Sequence, residues 1–146
     1  MTDKELLLKA VEAREFAYTP YSNHKVGAAL LGKSGKIYLG CNVENAAYTP
    51  TNCAERTAVF KAVSEGEREF SAIAVVGGLG DTLSELCAPC GVCRQVLSEF
   101  CDGSLKVILG TPEKITVTTL AELLPYSFGK TDLKNSKKQR LSLSKP

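Results

Sequence analysis

A chain of 146 residues, of which 44% are apolar and 23% charged, is long enough for one compact domain with a single core. It contains no run close to the ~18 consecutive apolar residues that a membrane-spanning helix needs, which argues against an integral membrane protein. Its formal net charge of +2 is not arranged as a basic stripe with interleaved aromatic residues, so nucleic acid is not an expected partner.

The two ends of the chain and its cysteines indicate compartment and domain limits. The first residues, Met-Thr-Asp-Lys-Glu, lack the basic and then apolar pattern of a signal peptide, so we expect a cytoplasmic protein. In that reducing compartment, six cysteines favour metal binding or catalysis over disulfides. Residues 134–146 carry five basic side chains in a mostly polar context. We predict one folded domain over 1–133 and a disordered basic tail over 134–146.

The first part of the chain predicts a helix and then a β-hairpin. Residues 2–18 repeat apolar side chains at helical spacing, and Thr2 with Glu5 forms a capping-box pattern at the start. Pro20 prevents easy continuation of this helix. Two strand-like segments, 26–31 and 36–41, are separated by Lys-Ser-Gly, a turn in which glycine tolerates a positive φ. An irregular stretch follows over 42–51.

After residue 50 the pattern alternates between helices and buried strands. It predicts a helix over 52–64, a strand over 72–76, a loop over 77–86, a helix after residue 90 and a strand over 105–109. A third short strand over 115–117 and a short helix over 119–124 follow. Such alternation implies crossover connections and a sheet with helices on its faces. The predicted fold class is α/β, a layered α/β/α domain with a central mixed sheet.

Two short segments carry residues with metal chemistry. Residues 53–56 (Cys-Ala-Glu-Arg) and 89–93 (Pro-Cys-Gly-Val-Cys) each open a predicted helix, where free N–H groups and the positive dipole end stabilise thiolates. Cys90 and Cys93 have the C-x-x-C spacing that brings two sulfurs to one ion. Cys-x-Glu followed by Pro-Cys-x-x-Cys matches the known signature of zinc deaminases, with cysteine in the place of histidine.

The predicted ligands of one Zn²⁺ ion are Cys53, Cys90 and Cys93. Three thiolates leave one tetrahedral position for water, as a catalytic zinc requires, and Glu55 could reach that water without binding the ion. The alternative is a structural zinc site closed by four cysteines, because Cys87-x-x-Cys90-x-x-Cys93 is itself a ligand-like run. An iron–sulfur cluster is less favoured, since the run lacks a following x₃-Cys-Pro.

Several motifs together resemble the small homotetrameric zinc-dependent cytidine deaminases. They are Tyr-Ser at 21–22, Val-Gly-Ala-Ala at 26–29, Gly-Cys-Asn-Val-Glu-Asn-Ala at 40–46, Cys-Ala-Glu-Arg-Thr-Ala at 53–58, Pro-Cys-Gly-Val-Cys-Arg-Gln at 89–95, and Leu-Leu-Pro with Phe128 near the end. The resemblance spans residues 6–133. It implies a cytidine deaminase-like fold, one zinc ion per subunit, and hydrolysis of cytidine and 2′-deoxycytidine to the uridine nucleosides and ammonia, a pyrimidine salvage reaction.

The resemblance also implies a nucleoside-binding segment. Asn42, Val43 and Glu44 correspond to it, with Asn42 and Glu44 on the sugar. The chemistry is compatible, because an amide and a carboxylate two residues apart on an extended segment point the same way and can share a hydroxyl. Without the family, these residues would be explained as a turn after a strand.

Further roles at the metal and the base come from the same resemblance. Ala54 corresponds to a residue whose backbone contacts the pyrimidine, and Glu55 to the group that shuttles protons while metal-activated water attacks C4. Arg56 corresponds to a residue hydrogen-bonded to the ligand thiolates, where a guanidinium offsets negative charge. Its alternative role is an ordinary surface salt bridge.

Two aromatic positions complete the implied pocket. His24, the one histidine of the chain, stands where the family usually has Phe packed against the base. An imidazole can still stack, but it is smaller and polar, and an ordinary loop histidine is the alternative. Phe128 corresponds to a Phe that reaches the base of a neighbouring subunit, which implies a homotetramer with shared active sites.

Three rival functions remain open from the sequence. One is deamination of a modified cytosine nucleoside such as blasticidin S, against which Asn42 and Glu44 favour an ordinary ribose. Another is a structural zinc module that binds a protein partner and uses Cys87 as a fourth ligand. Polynucleotide editing is a weaker option because of the charge balance.

Overall fold

The computed structural model describes residues 1–133, and the elements in that range follow the predicted order. They are α1 (Asp3–Arg14), β1 (His24–Gly32), β2 (Ile37–Cys41), α2 (Ala54–Ser64), β3 (Phe70–Leu79), α3 (Gly91–Phe100), β4 (Lys106–Gly110), β5 (Ile115–Thr119) and α4 (Leu120–Leu123). The predicted basic tail, 134–146, lies outside the described residues.

The strands form one mixed sheet in the order β2-β1-β3-β4-β5. The hairpin β1–β2 and the pairs β1–β3 and β4–β5 are antiparallel, whereas β3 and β4 run parallel. A parallel pair needs a crossover, and α3 lies in the connection between β3 and β4. The predicted mixed sheet is therefore confirmed.

Alternate residues of the central strands divide the core into two clusters. On one face, Leu6, Leu7 and Ala10 of α1 pack against strand residues that include Ala29, Ala74 and Val76. On the other face, α2, α3 and α4 cover strand residues that include Leu30, Ile73, Val75 and Val107. Because β3 is covered on both sides, its sequence is an almost continuous apolar run. The layered α/β/α architecture agrees with the sequence prediction.

Helix α2 lies unusually close to the sheet, at Gly40 of β2. A side chain on Gly40 would clash with the carbonyl oxygen of Ala54 and lie 2.6 Å from the backbone nitrogen of Ala58. Only glycine allows this approach of helix and strand backbones. Since α2 carries the motif at 53–56, Gly40 fixes the distance between that motif and the sheet.

Two predicted boundaries were wrong, and long-range contacts explain both. Helix α1 ends at Arg14 rather than near residue 18, because the backbone of Tyr18 pairs with Val43 in a bridge beyond the helix. Strand β3 continues to Leu79, although Gly77 and Gly78 favour a loop locally, because β1 pairs with it as far as His24.

The helices of residues 1–133 include none with the length and apolar character of a membrane span.

Candidate metal centre and active site

Three cysteine sulfurs converge where α2 and α3 begin. Sγ of Cys90 lies 3.7 Å from Sγ of Cys53 and 3.4 Å from Sγ of Cys93, and all three atoms lie within 4.8 Å of one another. Zinc–sulfur bonds of about 2.3 Å in a tetrahedron put sulfurs about 3.8 Å apart. The spacing of this cluster therefore suits one zinc ion held by three thiolates.

Helix termini make the cluster favourable for thiolates. Cys53 is the N-cap of α2 and Cys90 is the N-cap of α3. The sulfur of Cys90 accepts a hydrogen bond of 3.5 Å from the backbone N–H of Cys93, one of the free donors of the first turn. Two positive helix ends thus face the sulfurs that a metal would need deprotonated.

Arg56 supplies a positive charge at the cluster. Its Nη2 donates a hydrogen bond of 3.3 Å to Sγ of Cys53, and its Nε is buried with no hydrogen-bond partner in the described chain. Hydrogen bonding from the Cys93 thiol, followed by that from Arg56, lowers the pKa of Cys53. The same pairing with Cys53 raises the pKa of Cys93. The Arg56 contact therefore favours a negative sulfur at Cys53.

Glu55 is a buried carboxyl group beside the cluster. It lies in the first turn of α2, directly after Ala54, and is only 4% exposed. Burial raises the pKa of Glu55, and the negative charge at Cys53 raises it further. A carboxyl group whose pKa lies closer to neutrality can both take up and release protons, as a shuttle must.

Cys87 does not belong to the sulfur cluster. The three-sulfur group is the set of potential donor atoms that the structure brings within 4.8 Å in residues 1–133. Cys87 instead packs towards β3, where a side chain on Gly77 would lie 2.6 Å from its sulfur. Burial raises the pKa of Cys87 to about 11, which disfavours the thiolate that a ligand needs. The geometry therefore supports an open three-cysteine site over a closed four-cysteine one.

The predicted sugar-binding side chains lie next to β1 and the loop before it. Asn42 accepts a hydrogen bond from the Val26 N–H (2.9 Å) and donates one to the carbonyl of His24 (2.8 Å). Glu44 accepts from the backbone N–H of Tyr21 (3.0 Å) and from the N–H and hydroxyl of Ser22 (3.2 and 2.5 Å). The Ser22 hydrogen bond lowers the pKa of Glu44, so this carboxylate stays ionised.

The other predicted nucleoside-binding residues lie on three different segments, before α2, in α2 and at the start of β1. Val43 has an exposed side chain, and its backbone pairs with Asn52 and Tyr18. Ala54 is fully buried at the first turn of α2. His24 begins β1, and its charge contributes to the lowered pKa of Glu44.

Phe128 lies apart from these residues in sequence, after α4. Its ring is 61% exposed, and its carbonyl accepts a hydrogen bond from Gln95 (2.8 Å). No contact of its ring with the cysteine cluster is seen among residues 1–133.

Comparison with known proteins agrees with this arrangement. The family described as the cytidine and deoxycytidylate deaminase zinc-binding region matches residues 1–111. The chain belongs to this zinc-dependent deaminase family. It is 52% identical over 140 residues to the cytidine deaminase of Sporosarcina psychrophila, covering 95% of this chain and all of that protein. It is also 52% identical over 133 residues to the cytidine deaminase of Halalkalibacterium halodurans, covering 90% and 98%.

Solved structures of the deaminase family have the same fold. The crystal structure of cytidine deaminase from Burkholderia pseudomallei superposes with a TM-score of 0.81 at 50% identity, covering 88% of this chain and all of that one. The cytidine deaminase from Mycobacterium tuberculosis gives a TM-score of 0.76 at 39% identity, with coverage of 88% and 98%. The predicted family and its deaminase-like fold are confirmed.

Two residues that support this deaminase site were missed by sequence reasoning. Arg14 is 5% exposed. Its guanidinium donates hydrogen bonds to four backbone carbonyls, those of Lys25, Gly78, Gly80 and Thr82. These bonds connect α1 to the loop that precedes residues 89–93. The position of Arg14 four residues after Ala10, on the apolar stripe of α1, could have indicated burial. Ser22 gave no local signal for its contact with Glu44, because 22 residues separate them.

Two cavities lie outside the sulfur cluster. A cavity of about 560 Å³ lies between the end of α3, α4 and residues 124–131. A second cavity of about 390 Å³ is lined by Glu44 together with Tyr21, Ser22, Tyr48 and neighbouring residues. The second cavity contains the predicted sugar-binding residue Glu44 and adjoins the segment that leads into α2.

Proposed function

We propose that this enzyme hydrolyses cytidine and 2′-deoxycytidine to uridine and 2′-deoxyuridine with release of ammonia. The observation that carries the proposal is the three-sulfur cluster with a buried glutamate two residues after Cys53. The family supports the same reaction class, and the similar proteins from Sporosarcina and Halalkalibacterium are named cytidine deaminases.

Cys53, Cys90 and Cys93 hold the zinc ion in this proposal, and the orphaned Nε of Arg56 offers a further donor beside them. When bound, the ion supplies Lewis-acid activation of water near neutral pH. The sulfurs need to be thiolates, and the two helix ends together with Arg56 favour that state. Arg56 offsets negative charge that would otherwise oppose loss of a proton from the attacking water.

Glu55 carries the protons. It accepts one from the attacking water and delivers it to N3 of the base, which prepares C4 for addition. It then carries the remaining proton of the added hydroxyl to the amine, which leaves as ammonia while C4 becomes the carbonyl of uridine. One carboxyl group serves both transfers because the hydroxyl and the amine are bonded to the same carbon. Its burial excludes competing water, and its raised pKa suits both directions.

Asn42 and Glu44 bind the sugar. The amide of Asn42 uses one oxygen lone pair and one N–H on β1, which leaves one donor and one acceptor for a hydroxyl. Glu44 accepts three hydrogen bonds from residues 21–22 and retains a free lone-pair site. The loop contacts thus orient both groups before the substrate arrives. Val43, the backbone of Ala54 and the imidazole of His24 complete the contacts to the nucleoside.

Assembly completes the pocket in this proposal. Residues 1–133 form the catalytic domain, four copies form a homotetramer in the cytoplasm, and Phe128 of one copy reaches the base bound to another. The exposure of the Phe128 ring supports this role, since large apolar side chains that remain exposed often mark an interface.

The deciding experiment is ammonia release from the purified, zinc-loaded chain on addition of cytidine or 2′-deoxycytidine. We expect turnover of both nucleosides, its loss with a chelator, and its return with zinc. Absence of turnover in the zinc-loaded protein would contradict the proposal. A chelator that unfolds the chain without any prior turnover would instead favour a structural zinc module.

A further inference from the structure

Gln95 of α3 makes a contact that the proposed chemistry does not use. Gln95 lies two residues after the metal ligand Cys93, and its Nε2 donates a hydrogen bond of 2.8 Å to the carbonyl oxygen of Phe128. Of the hydrogen bonds within residues 1–133, this is the one that joins residues 125–128 to the rest of the fold.

The preceding residue anchors the other end of the same segment. Arg94 donates from Nε to the carbonyl of Pro89 (2.7 Å) and from Nη1 to the carbonyl of Leu123 (2.7 Å). Pro89 directly precedes the ligand Cys90, and Leu123 ends α4. Two successive side chains of α3 therefore tie the metal segment to both ends of residues 123–128.

The segment between these anchors has a backbone that needs support. Tyr126 has a φ of 53°, a left-handed conformation that side-chain-bearing residues rarely adopt, and its side chain is fully exposed. Such strain persists where the surroundings fix the backbone on both sides. The Phe128 ring is 61% exposed, so its own packing does not fix it.

We propose that Gln95 is a positioning residue that holds Phe128 in place for the nucleoside bound by a neighbouring copy. This inference rests on the proposed role of Phe128 in substrate binding. The hydrogen bond is exposed in the single chain. A second copy that covers Phe128 shields the bond from water, where an amide–carbonyl bond contributes more. The effect is on substrate binding, because Gln95 touches neither Glu55 nor a ligand sulfur.

The test is a double-mutant cycle in the full chain, with Gln95→Met, Phe128→Ala and the combined variant. Met keeps the length of the side chain and removes the donor. We expect Gln95→Met to raise the KM for cytidine about three- to ten-fold, the range of one lost hydrogen bond, with kcat and bound zinc unchanged. In the Phe128→Ala background the same change should have no further effect, because there is no ring to position.

A matched control lies one turn later on α3. Within the part of the chain that the structure describes, the hydroxyl of Ser98 donates to the carbonyl of Gln95 in the same helix (2.7 Å), so Ser98→Ala should leave KM unchanged. A second readout needs no turnover: Gln95→Met should speed chymotryptic cleavage after Tyr126 and Phe128, identified by mass spectrometry of the fragments.

Several outcomes would overturn the positioning role. These are an unchanged KM and cleavage rate in Gln95→Met, effects that multiply in the combined variant, a loss of zinc, or an unchanged KM in Phe128→Ala. Failure of the proposed function looks different, because the unmodified protein then releases no ammonia. In that case the cleavage rate alone decides whether Gln95 fixes the segment.

Discussion

The guanidinium of Arg56 lies 3.3 Å from the sulfur of Cys53, three residues earlier at the start of the same helix. Residues three apart lie on one face of a helix, so α2 itself brings cation and sulfur together. Three thiolates at Cys53, Cys90 and Cys93 would give a bound Zn²⁺ site a formal charge of −1, which would disfavour loss of a proton from the attacking water. In the proposed mechanism, an arginine at the sulfurs would offset part of that charge.

Replacing Arg56 should therefore weaken both the metal site and turnover. We expect Arg56→Gln to lower zinc affinity or kcat by roughly 10- to 100-fold, as for other residues that support metal ligands. The zinc affinity and kcat of Arg56→Lys should lie between those of Arg56→Gln and the unmodified protein, because lysine keeps the charge but loses the planar fork. Zinc titration and steady-state kinetics on both variants measure this. Equal activity and zinc affinity of Arg56→Gln and the unmodified protein would mean that the arginine does not support the metal site.

Glu55→Gln should keep zinc and the fold but lose nearly all turnover. The amide cannot carry protons, and one acid–base group commonly contributes ~10²–10⁴-fold. Removing a buried carboxyl whose pKa is raised should not lower thermal stability. Glu65→Gln, at the other end of α2 in an exposed pair with Lys36, is the matched control and should remain fully active. Substantial turnover in purified Glu55→Gln would refute the proton shuttle.

The zinc content of cysteine-to-alanine variants should distinguish the three proposed ligands from Cys87. We expect Cys53→Ala, Cys90→Ala and Cys93→Ala each to lose bound zinc, whereas Cys87→Ala should retain one ion per chain. Metal analysis is a better test than alkylation, since burial keeps Cys87 protonated at neutral pH with a pKa of about 11. If Cys87→Ala alone empties the site, the ligand assignment is wrong.

Features set by neighbours in the sequence could be predicted. The capping box of α1 is present as expected, with Thr2 N–H bound to Glu5 (2.7 Å) and Glu5 N–H to the Thr2 hydroxyl (3.1 Å). The cysteines at 53, 90 and 93 lie at the starts of α2 and α3, as the sequence predicted. In these cases the interacting atoms are a few residues apart or the motif itself implies the geometry.

Features set by distant partners could not be predicted. The end of α1 depends on a bridge between Tyr18 and Val43, and the length of β3 depends on its pairing with β1. The three donors on Glu44 come from a loop 22 or more residues earlier. Local propensity carries no information on such contacts, because they form only when tertiary packing brings the partners together.

In the proposed tetramer, Phe128 links activity to assembly. Its ring is 61% exposed in the single chain, and its segment is held by Gln95 rather than by apolar packing. If the ring completes the pocket of a neighbour, a dissociated copy lacks one wall of its own pocket, so specific activity should fall on dilution as the oligomer dissociates. Phe128→Ala should raise the KM while zinc content stays unchanged, because no metal ligand lies nearby in sequence. Sedimentation and activity over one dilution series test this directly. A monomer with full specific activity would show that Phe128 is not supplied by another copy.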